Sequence, residues 1–432
     1  AKSEGSDPTK DETLFKPYVI LDRQLTDGAG NRTCEICIPR TTPSQTATRV
    51  TPNTKGAAND THRLGRLRAS HTDYRHHEIE EGEIGTSFFN KSLEGRMELV
   101  QADRGGWTGA SGVQYFARDF DVEGEEKFLP ENSTSQFGVF TLQSIDFGPF
   151  RAEGGLRYEH TKLSAKADVD LGNPDMERSF DAVSASVGVS YALAQDIRIG
   201  LNLSHSERAP SAEELFPNGP HAGTQAFEIG DPTLKKEKSE GIEASLKGSG
   251  DGYSFGLSAF YSDFDNFIYE QQTGAVEDDL PVYQFRQGQA EYWGVEAAAS
   301  VRVARIGGTA ISVDGLADYV RATIDHVGPA PRIPPLRLLG GIEAESEAYL
   351  ARVEVEYADR QDRTAAFETD TDDYTMVNAS VAWRPFGADN PTSLTLSANN
   401  LFDVEARRHA SFLKDFAPLA GRDIRLTGRV SF

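Results

Sequence analysis

Basic residues are in short supply: 44 lysines and arginines stand against 67 aspartates and glutamates, a formal net charge of -23 over 432 residues. With a pI of about 4.8, the chain lacks the basic face that nucleic-acid phosphates require, so no nucleic acid is expected among its partners. Long apolar runs are missing too, since none reaches the ~18 residues of a membrane-crossing helix. A mean hydropathy of -0.48 looks soluble, yet barrel strands escape that test because only alternate residues face lipid. The chain opens on Ala1-Lys2-Ser3-Glu4 with no apolar stretch behind it, so it is expected to be a processed protein or, the preferred reading, a fragment. Cysteine is nearly absent: Cys34 and Cys37 form one Cys-x-x-Cys. Without a second pair this falls short of a zinc site, and no βαβ pattern surrounds it to suggest redox chemistry. A local disulfide in an oxidising compartment is expected, with metal binding as the alternative. Enzyme signatures are also missing, among them Gly-x-Ser-x-Gly, Walker-type loops and His-Glu-x-x-His. His77-Glu78 starts the last of these but lacks its second histidine. No enzyme is expected, and a barrel enzyme built from separated residues stays as the alternative.

What is present is a period of two. Val183, Ala185, Val187, Val189 and Tyr191 alternate with Ser184, Ser186, Gly188 and Ser190. Phe255, Leu257, Ala259 and Tyr261 alternate with small or polar residues, as do Leu394, Leu396 and Ala398. Such strands have one apolar face and one small, polar face. Alternation alone fits a soluble sandwich as well as a barrel; connection lengths separate the two. Short turns are expected near Asp103–Gly106, Asp146–Pro149, Gln195–Asp196, Gly250–Gly252, Gly307–Gly308, Glu345–Glu347 and Gly387–Asn390. Between them lie longer polar stretches: Asp119–Asn132, Ser164–Glu177, Ser206–Glu237, Asp265–Tyr283, Asp325–Arg332, Asp359–Asp373 and Asp403–Gly421. Short and long connections alternate in outer-membrane barrels, with periplasmic turns and long outer loops. The expected fold class is therefore all-β, an antiparallel transmembrane β-barrel.

From Arg63 onward the pattern predicts roughly sixteen strands, with one or two before it, against about 22 in the transporters that close fully. The barrel is thus expected to be partial. Residues 63–432 read as barrel, and 1–62 as poorly patterned, with strands near Thr13–Leu21 and Ala47–Thr54 and the Cys-x-x-Cys loop. Trp107, Phe147, Phe150, Tyr253, Trp383 and Phe386 cluster beside the short turns, as an interfacial girdle does; ordinary hairpin-end packing is the plainer explanation. In the last strand Ile424, Leu426, Val430 and Phe432 share one face and Arg425 and Arg429 the other. An arginine on the lipid face at mid-membrane costs roughly 2–4 kcal/mol, so the arginines are expected to face the lumen.

Several motifs in order resemble those of TonB-dependent outer-membrane receptors. They are Arg208 to Phe216, Gly219-Pro220-His221, Phe227 to Pro232, Leu234 to Glu240, Asn399 to Asp403 and the closing strand that ends on Phe432. The resemblance covers Arg63 to Phe432. A narrower one, to the zinc-uptake branch called ZnuD-like, is carried by Asp73-Tyr74-Arg75-His76-His77-Glu78, by Gly-Pro-His at His221, and by His409 to Pro418. The resemblance implies an outer-membrane location and uptake of a metal ion or metal complex, zinc favoured, with iron-siderophore or haem as alternatives. It implies as partners the TonB-ExbB-ExbD system, outer-membrane lipid and lipopolysaccharide, the barrel-assembly machinery and the metal or chelate. No resident cofactor is implied, zinc being cargo. The sequence departs from the family pattern in lacking a recognisable signal peptide, TonB box and plug, the element on which TonB pulls. A passive porin or structural barrel is the reading from another class, and an upstream plug and TonB box would separate the two.

The candidate metal residues are Glu78, His221, His76 and His409. Zinc takes imidazole nitrogen and carboxylate oxygen. On a strand His76 and Glu78 share a face while His77 points away. His221 sits in a turn-rich context, and His71 shares a strand face with Asp73. For each, the plainer account is a solvated polar residue. Ser211 to Glu214 matches a capping box, so a short helix is expected there. Asp263, Asp265, Asp278 and Asp279 form an outer acidic patch. A C-terminal aromatic resembles the signal read by the assembly machinery, so deleting Phe432 should lower outer-membrane assembly. Undiminished assembly, read by heat-modifiable gel migration, would count against that role.

Overall fold

The computed structural model describes Ser44–Val50, Asn53–Thr54, His62–Glu80 and the residues from Glu83 to Val430 apart from 222, 388, 389 and 391. Cys34 and Cys37, the strand expected over Thr13–Leu21, and Phe432 lie outside the described residues. Alternating sequence becomes strand throughout. The elements are β1 (Ser44–Val50), β2 (Asn53–Thr54), β3 (His62–Glu80), β4 (Glu83–Gln101), β5 (Trp107–Gly124), β6 (Asn132–Phe147), β7 (Phe150–Ala165), β8 (Met176–Ala194) and β9 (Ile197–Arg208). After them come α1 (Ala212–Leu215), β10 (Asn218–His221), β11 (Ala226–Ile229), β12 (Glu237–Gly250), β13 (Tyr253–Glu277), β14 (Leu280–Ile306), β15 (Thr309–Ile324) and β16 (Gly328–Pro329). The chain continues through β17 (Arg337–Glu345), β18 (Tyr349–Ala358), β19 (Tyr374–Trp383), β20 (Ser393–Asn399) and β21 (Asp423–Arg429). Among the described residues all 21 strands join one sheet.

The wall is an antiparallel meander. β1 and β2 pair with β3, and each wall strand then pairs with the next, β9 with β12 and β15 with β17. From β3 onward β10, β11 and β16 stand apart from it, which leaves the sixteen wall strands that the alternation predicts. Among the described residues no ladder joins β21 to β1 or β2.

Register decides which face meets lipid. One cross-strand row runs Val187, Leu203, Ile242, Tyr261 and Trp293; all five side chains are exposed. A row on the opposite face runs Ser190, Gly200, Ser245, Ser258, Glu296 and Asp318. An exposed apolar face and a polar inner face are the reverse of a soluble sandwich and define a membrane barrel. Inner-face charges are paired, as Arg96 is with Glu98 at 2.7 Å and Arg337 with Asp318 at 2.9 Å. The closing strand obeys the same rule. Leu426 pairs with the exposed Leu396, while Arg425 pairs with Ser397 on the other face and holds Asp423 at 2.8 Å.

Aromatic rings mark the turn end of the band. Trp107, Phe147, Phe150, Trp383 and Phe386 are exposed there. Phe147 stacks on Phe150 at 5.5 Å, and Phe150 meets Tyr191 at 4.8 Å. Tyr253 is half-buried instead, because it lies across Gly250, and Phe255 lies across Gly248, where a Cβ would meet each ring at 2.5–2.6 Å.

One expected loop is not a loop. Asp265–Tyr283 continues β13 and β14 to a tight turn at Asp278-Asp279, with register shifts between Phe264 and Phe267 and between Gln272 and Val276. Asn266, at φ 55, absorbs the first shift. Phe264, Phe267, Tyr269 and Tyr292 pack against one another there, so the hairpin stays paired above the membrane band.

The faces make a direct test. Leu257 is exposed at the middle of the apolar band and Ser258 faces the lumen beside Glu296. Leu257→Arg should lower the free energy of folding into bilayers by about 2–4 kcal/mol. Ser258→Arg should cost less than half of that, measured by denaturant titration in lipid vesicles.

Candidate functional site

The end opposite the short turns carries the long connections, and their apolar residues fold in over the lumen. The longest joins β9 to β12. Ser211 opens α1, and its backbone N–H donates to Glu214 Oε2 at 2.7 Å, one half of the expected capping box. Arg208 grips Glu214 at 2.8 Å and Glu237 at 3.2 Å, which closes the base of the loop. Leu215, Phe216 and Leu234 are buried with Phe88, Phe128, Leu129 and Leu163 of the neighbouring strands and loops. Each such side chain contributes about 1.5–3 kcal/mol of burial. β10 and β11 form a hairpin, and β11 lies parallel to β14, Glu228 beside Tyr283. Asn218 fastens the other side, its N–H to Phe128 O at 2.9 Å and its Nδ2 to Leu171 O at 2.8 Å.

The four predicted metal residues fall into three places. His76 and Glu78 share the inward face of β3, with Glu78 buried. The His76 ring stacks on Phe88 at 4.3 Å, and its Nδ1 is buried with no hydrogen-bond partner. Burial, and then the neighbouring His77, lowers its pKa. His77 turns aside to Ser87 Oγ at 2.8 Å. His221 stacks on Phe128 at 3.9 Å and donates from Nδ1 to Glu228 Oε1 at 2.8 Å. Phe88 and Phe128, 6.5 Å apart, connect the His76 ring to the His221 ring. His409 is buried on the connection between β20 and β21. Its Nδ1 is 3.0 Å from the Thr371 hydroxyl and its Nε2 is 3.2 Å from Glu368 Oε1. His71 and Asp73 lie on the exposed outer face of β3. Among the described residues no three His, Cys, Asp or Glu side chains assemble as a metal group.

A string of charges connects the second place to the third. Glu228 also accepts from Thr224 Oγ1 at 2.7 Å and is close enough to Glu270 to act on its charge. Arg332 Nη2 donates to Glu270 Oε2 at 3.3 Å, and the Arg332 N–H donates to Glu368 Oε1 at 2.9 Å. Lys414 Nζ reaches Glu368 Oε1 at 3.1 Å and Thr369 O at 2.8 Å. Glu270, Arg332, Glu368 and Lys414 line a cleft between the β13–β14 hairpin and the connections that follow β15, β18 and β20. Tyr283 and Phe412 pack at 5.0 Å, and the Arg332 guanidinium lies 4.8 Å over Phe412. Phe367 lies across Gly274, which sits at φ +82 and has no room for a Cβ.

The two central carboxyls are pushed in opposite directions. Burial lifts Glu270 to about 7 against the pull of Arg332, with Glu228 adding to the rise. Burial acts on Glu368 as well, but His409, the N–H groups of Ala365 and Arg332, and Lys414 outweigh it and hold the group at about 2. Sequence reading did not single out Glu270, Arg332, Glu368 or Lys414 as site residues. Glu270 sits in the stretch read as a loop; the period-two pattern of Phe267, Tyr269 and Gln271 was the available signal.

An exposed apolar belt, a polar lumen and outer connections folded over it define an outer-membrane β-barrel with an elaborated mouth. Residues 40–401 match the family described as TonB dependent receptor-like, beta-barrel, and the chain belongs to that family. Members of the family are outer-membrane β-barrels of Gram-negative bacteria that work with TonB. Among solved structures the chain is similar to the copper transporter OprC, with a TM-score of 0.73 at 17% identity, covering 88% of this chain and 64% of that one. It is also similar to the FrpB iron transporter of Neisseria meningitidis, with a TM-score of 0.68 at 15% identity, covering 90% and 63%. At such identities the likeness concerns the fold. Hemoglobin-haptoglobin utilization protein B of Neisseria meningitidis serogroup A is 26% identical over 216 residues, which are 45% of this chain and 26% of that protein. The chain thus spans less than two thirds of each of these proteins.

The opposed carboxyls generate a sign test. Glu270 holds its proton more tightly when folded, so stability falls as pH rises from 4.5 through 7. Glu368 holds its proton less tightly, so its contribution is full above 4.5 and is lost as pH falls toward 2. At pH 8, Glu368→Gln should cut hydrogen-exchange protection around residues 365–371 and 409–414 by about 1–2 kcal/mol after solvent screening. Glu270→Gln should leave that protection unchanged or raise it. Equal losses in both variants would contradict the assignment.

Proposed function

We propose that this chain is the receptor wall of an energised outer-membrane importer for a metal ion or metal complex. The observation that carries the reading is the mouth: a lumen-side charge string and an aromatic cleft, built by outer connections on a barrel of the TonB-dependent family. The relatives named for copper transport, iron transport and haemoglobin-haptoglobin utilisation support the same class of cargo. TonB, with ExbB and ExbD, would act through a plug that is not among the described residues. The apolar rows would contact lipid and lipopolysaccharide, and the closing strand the barrel-assembly machinery.

Within that reading zinc is the favoured ion, as expected of the ZnuD-like branch. Its support is chemical: His221 with Glu228, His76 with Glu78 and His409 with Glu368 are pairs of the ligand types that zinc prefers. The Nδ1 of His221 is engaged by Glu228, which leaves Nε2 for a metal. A pair holds zinc weakly, so further ligands would come from the plug. The second reading, a bulky complex such as an iron chelate or haem, is supported by the relatives named for iron transport and haemoglobin-haptoglobin utilisation.

Uptake decides between them. In the intact receptor, Glu78→Ala with His221→Ala should lower zinc uptake at limiting zinc about tenfold or more, with barrel assembly unchanged. Zinc uptake equal to the unmodified receptor, with growth on an iron chelate reduced instead, would transfer the assignment to the chelate.

A further inference from the structure

We infer that the cleft bounded by Glu270, Tyr283, Arg332 and Phe412 binds a ligand bearing an ammonium group beside a flat apolar part. The inference rests on the reading of the chain as a receptor and names the chemistry of what its mouth accepts.

Charge around the cleft is unequal. Four carboxylates lie in and beside the cleft: Glu228, Glu270, Glu368 and Asp415. The cations with fixed charge there are Arg332 and Lys414. Both are engaged. Lys414 is almost fully buried, with Glu368 Oε1 and Thr369 O on its ammonium. Arg332 donates to Glu270 while its guanidinium covers Phe412. An anionic ligand would therefore meet the carboxylates of Glu270, Glu368 and Asp415 on the lining and would have to share Arg332 with Glu270, so desolvating it there would be costly.

A cationic nitrogen meets the opposite situation. Glu270 is only 7% exposed, yet it lines the cleft. Its Oε2 accepts from Arg332 at 3.3 Å, and among the described residues nothing donates to Oε1. Glu228, itself buried on the β10–β11 hairpin, adds negative potential from behind. An ammonium at Oε1 would complete the half-satisfied carboxylate with a charge-assisted hydrogen bond. It would also relieve the burial that pushes the Glu270 carboxyl up to about 7. Around that point the aromatic rings of Tyr269, Tyr283, Phe367 and Phe412 line the cleft. Ring faces attract cations and stack on flat apolar groups. Val327 and Pro329 continue the apolar wall, so the apolar part of a ligand is held while its nitrogen reaches the charged wall.

Three probes of one shape make the test: 2-phenylethylammonium, 2-phenylethanol and 3-phenylpropionate. Each is titrated by calorimetry and saturation-transfer NMR into the full chain refolded in detergent at pH 8. The ammonium should bind at least about tenfold more tightly than the alcohol, and the carboxylate should show no binding. Glu270→Gln should lower ammonium affinity about tenfold and bring it near that of the alcohol. Glu240→Gln, exposed on β12 and outside this cleft, should leave it unchanged. Equal affinity for the three probes, preference for the carboxylate, or full ammonium affinity in Glu270→Gln would overturn the inference. If Glu270→Gln fails to refold, the order of the three probes on the unmodified chain still decides. Metal uptake by the intact receptor without ammonium binding would sink this inference alone. Ammonium binding without any uptake would sink the receptor reading alone.

Discussion

A strand that crosses hydrocarbon has no water to satisfy its N–H and C=O groups, and each bare group costs several kcal/mol. The neighbouring strand must supply every partner, and the antiparallel ladder from β3 to β21 does so strand by strand. Because the ladder sets register, it also sets facing. A single-residue slip would move Leu203, Ile242 and Tyr261 into the lumen and put Ser204 and Ser262 against lipid. The inner charges follow from the same constraint. Arg96, Arg337 and Arg425 can exist in this wall because each points inward to a carboxylate within 3 Å.

Above the membrane band the constraint relaxes, and packing decides instead. The connection between β9 and β12 has its own helix and hairpin, yet it is ordered by what it buries. Phe216 and Leu215 enter the apolar cluster of Phe88 and Phe128, and His221 is clamped between Phe128 and Glu228. Carboxylates buried during that packing need partners, and the partners come from other connections. Glu368 collects His409, Lys414 and the Arg332 N–H, which ties three connections together. Among the described residues Glu270 collects one guanidinium, and its raised pKa is the mark of that shortfall. Structural closure and chemical reactivity in the mouth are thus two outcomes of one accounting of buried charge.

Alternation, turn spacing and the facing of Arg425 were legible in the sequence because each is local: period two needs only neighbours along the chain. The helix at Ala212–Leu215 was legible for the same reason, through Ser211 and Glu214. The hairpin over Asp265–Tyr283 was not. The stretch reads as a long polar connection, and the aromatic packing of Phe264 with Tyr292 keeps the ladder running into it.

The same division holds for the site. The sequence by itself determined that this protein is an antiparallel membrane barrel with alternating short and long connections, and which residue types its outer segments carry. That follows from a local, periodic demand: hydrocarbon on one face and water on the other. The tertiary structure alone decided that His76 and His221 stand on either side of two phenylalanine rings, and that His409 belongs with Glu368. It alone brought Glu270 to Arg332, 62 positions apart, and Glu368 to Lys414, 46 apart. Such pairings have no periodic trace, because they are fixed by which loops meet over the lumen and which buried charges remain to be balanced there.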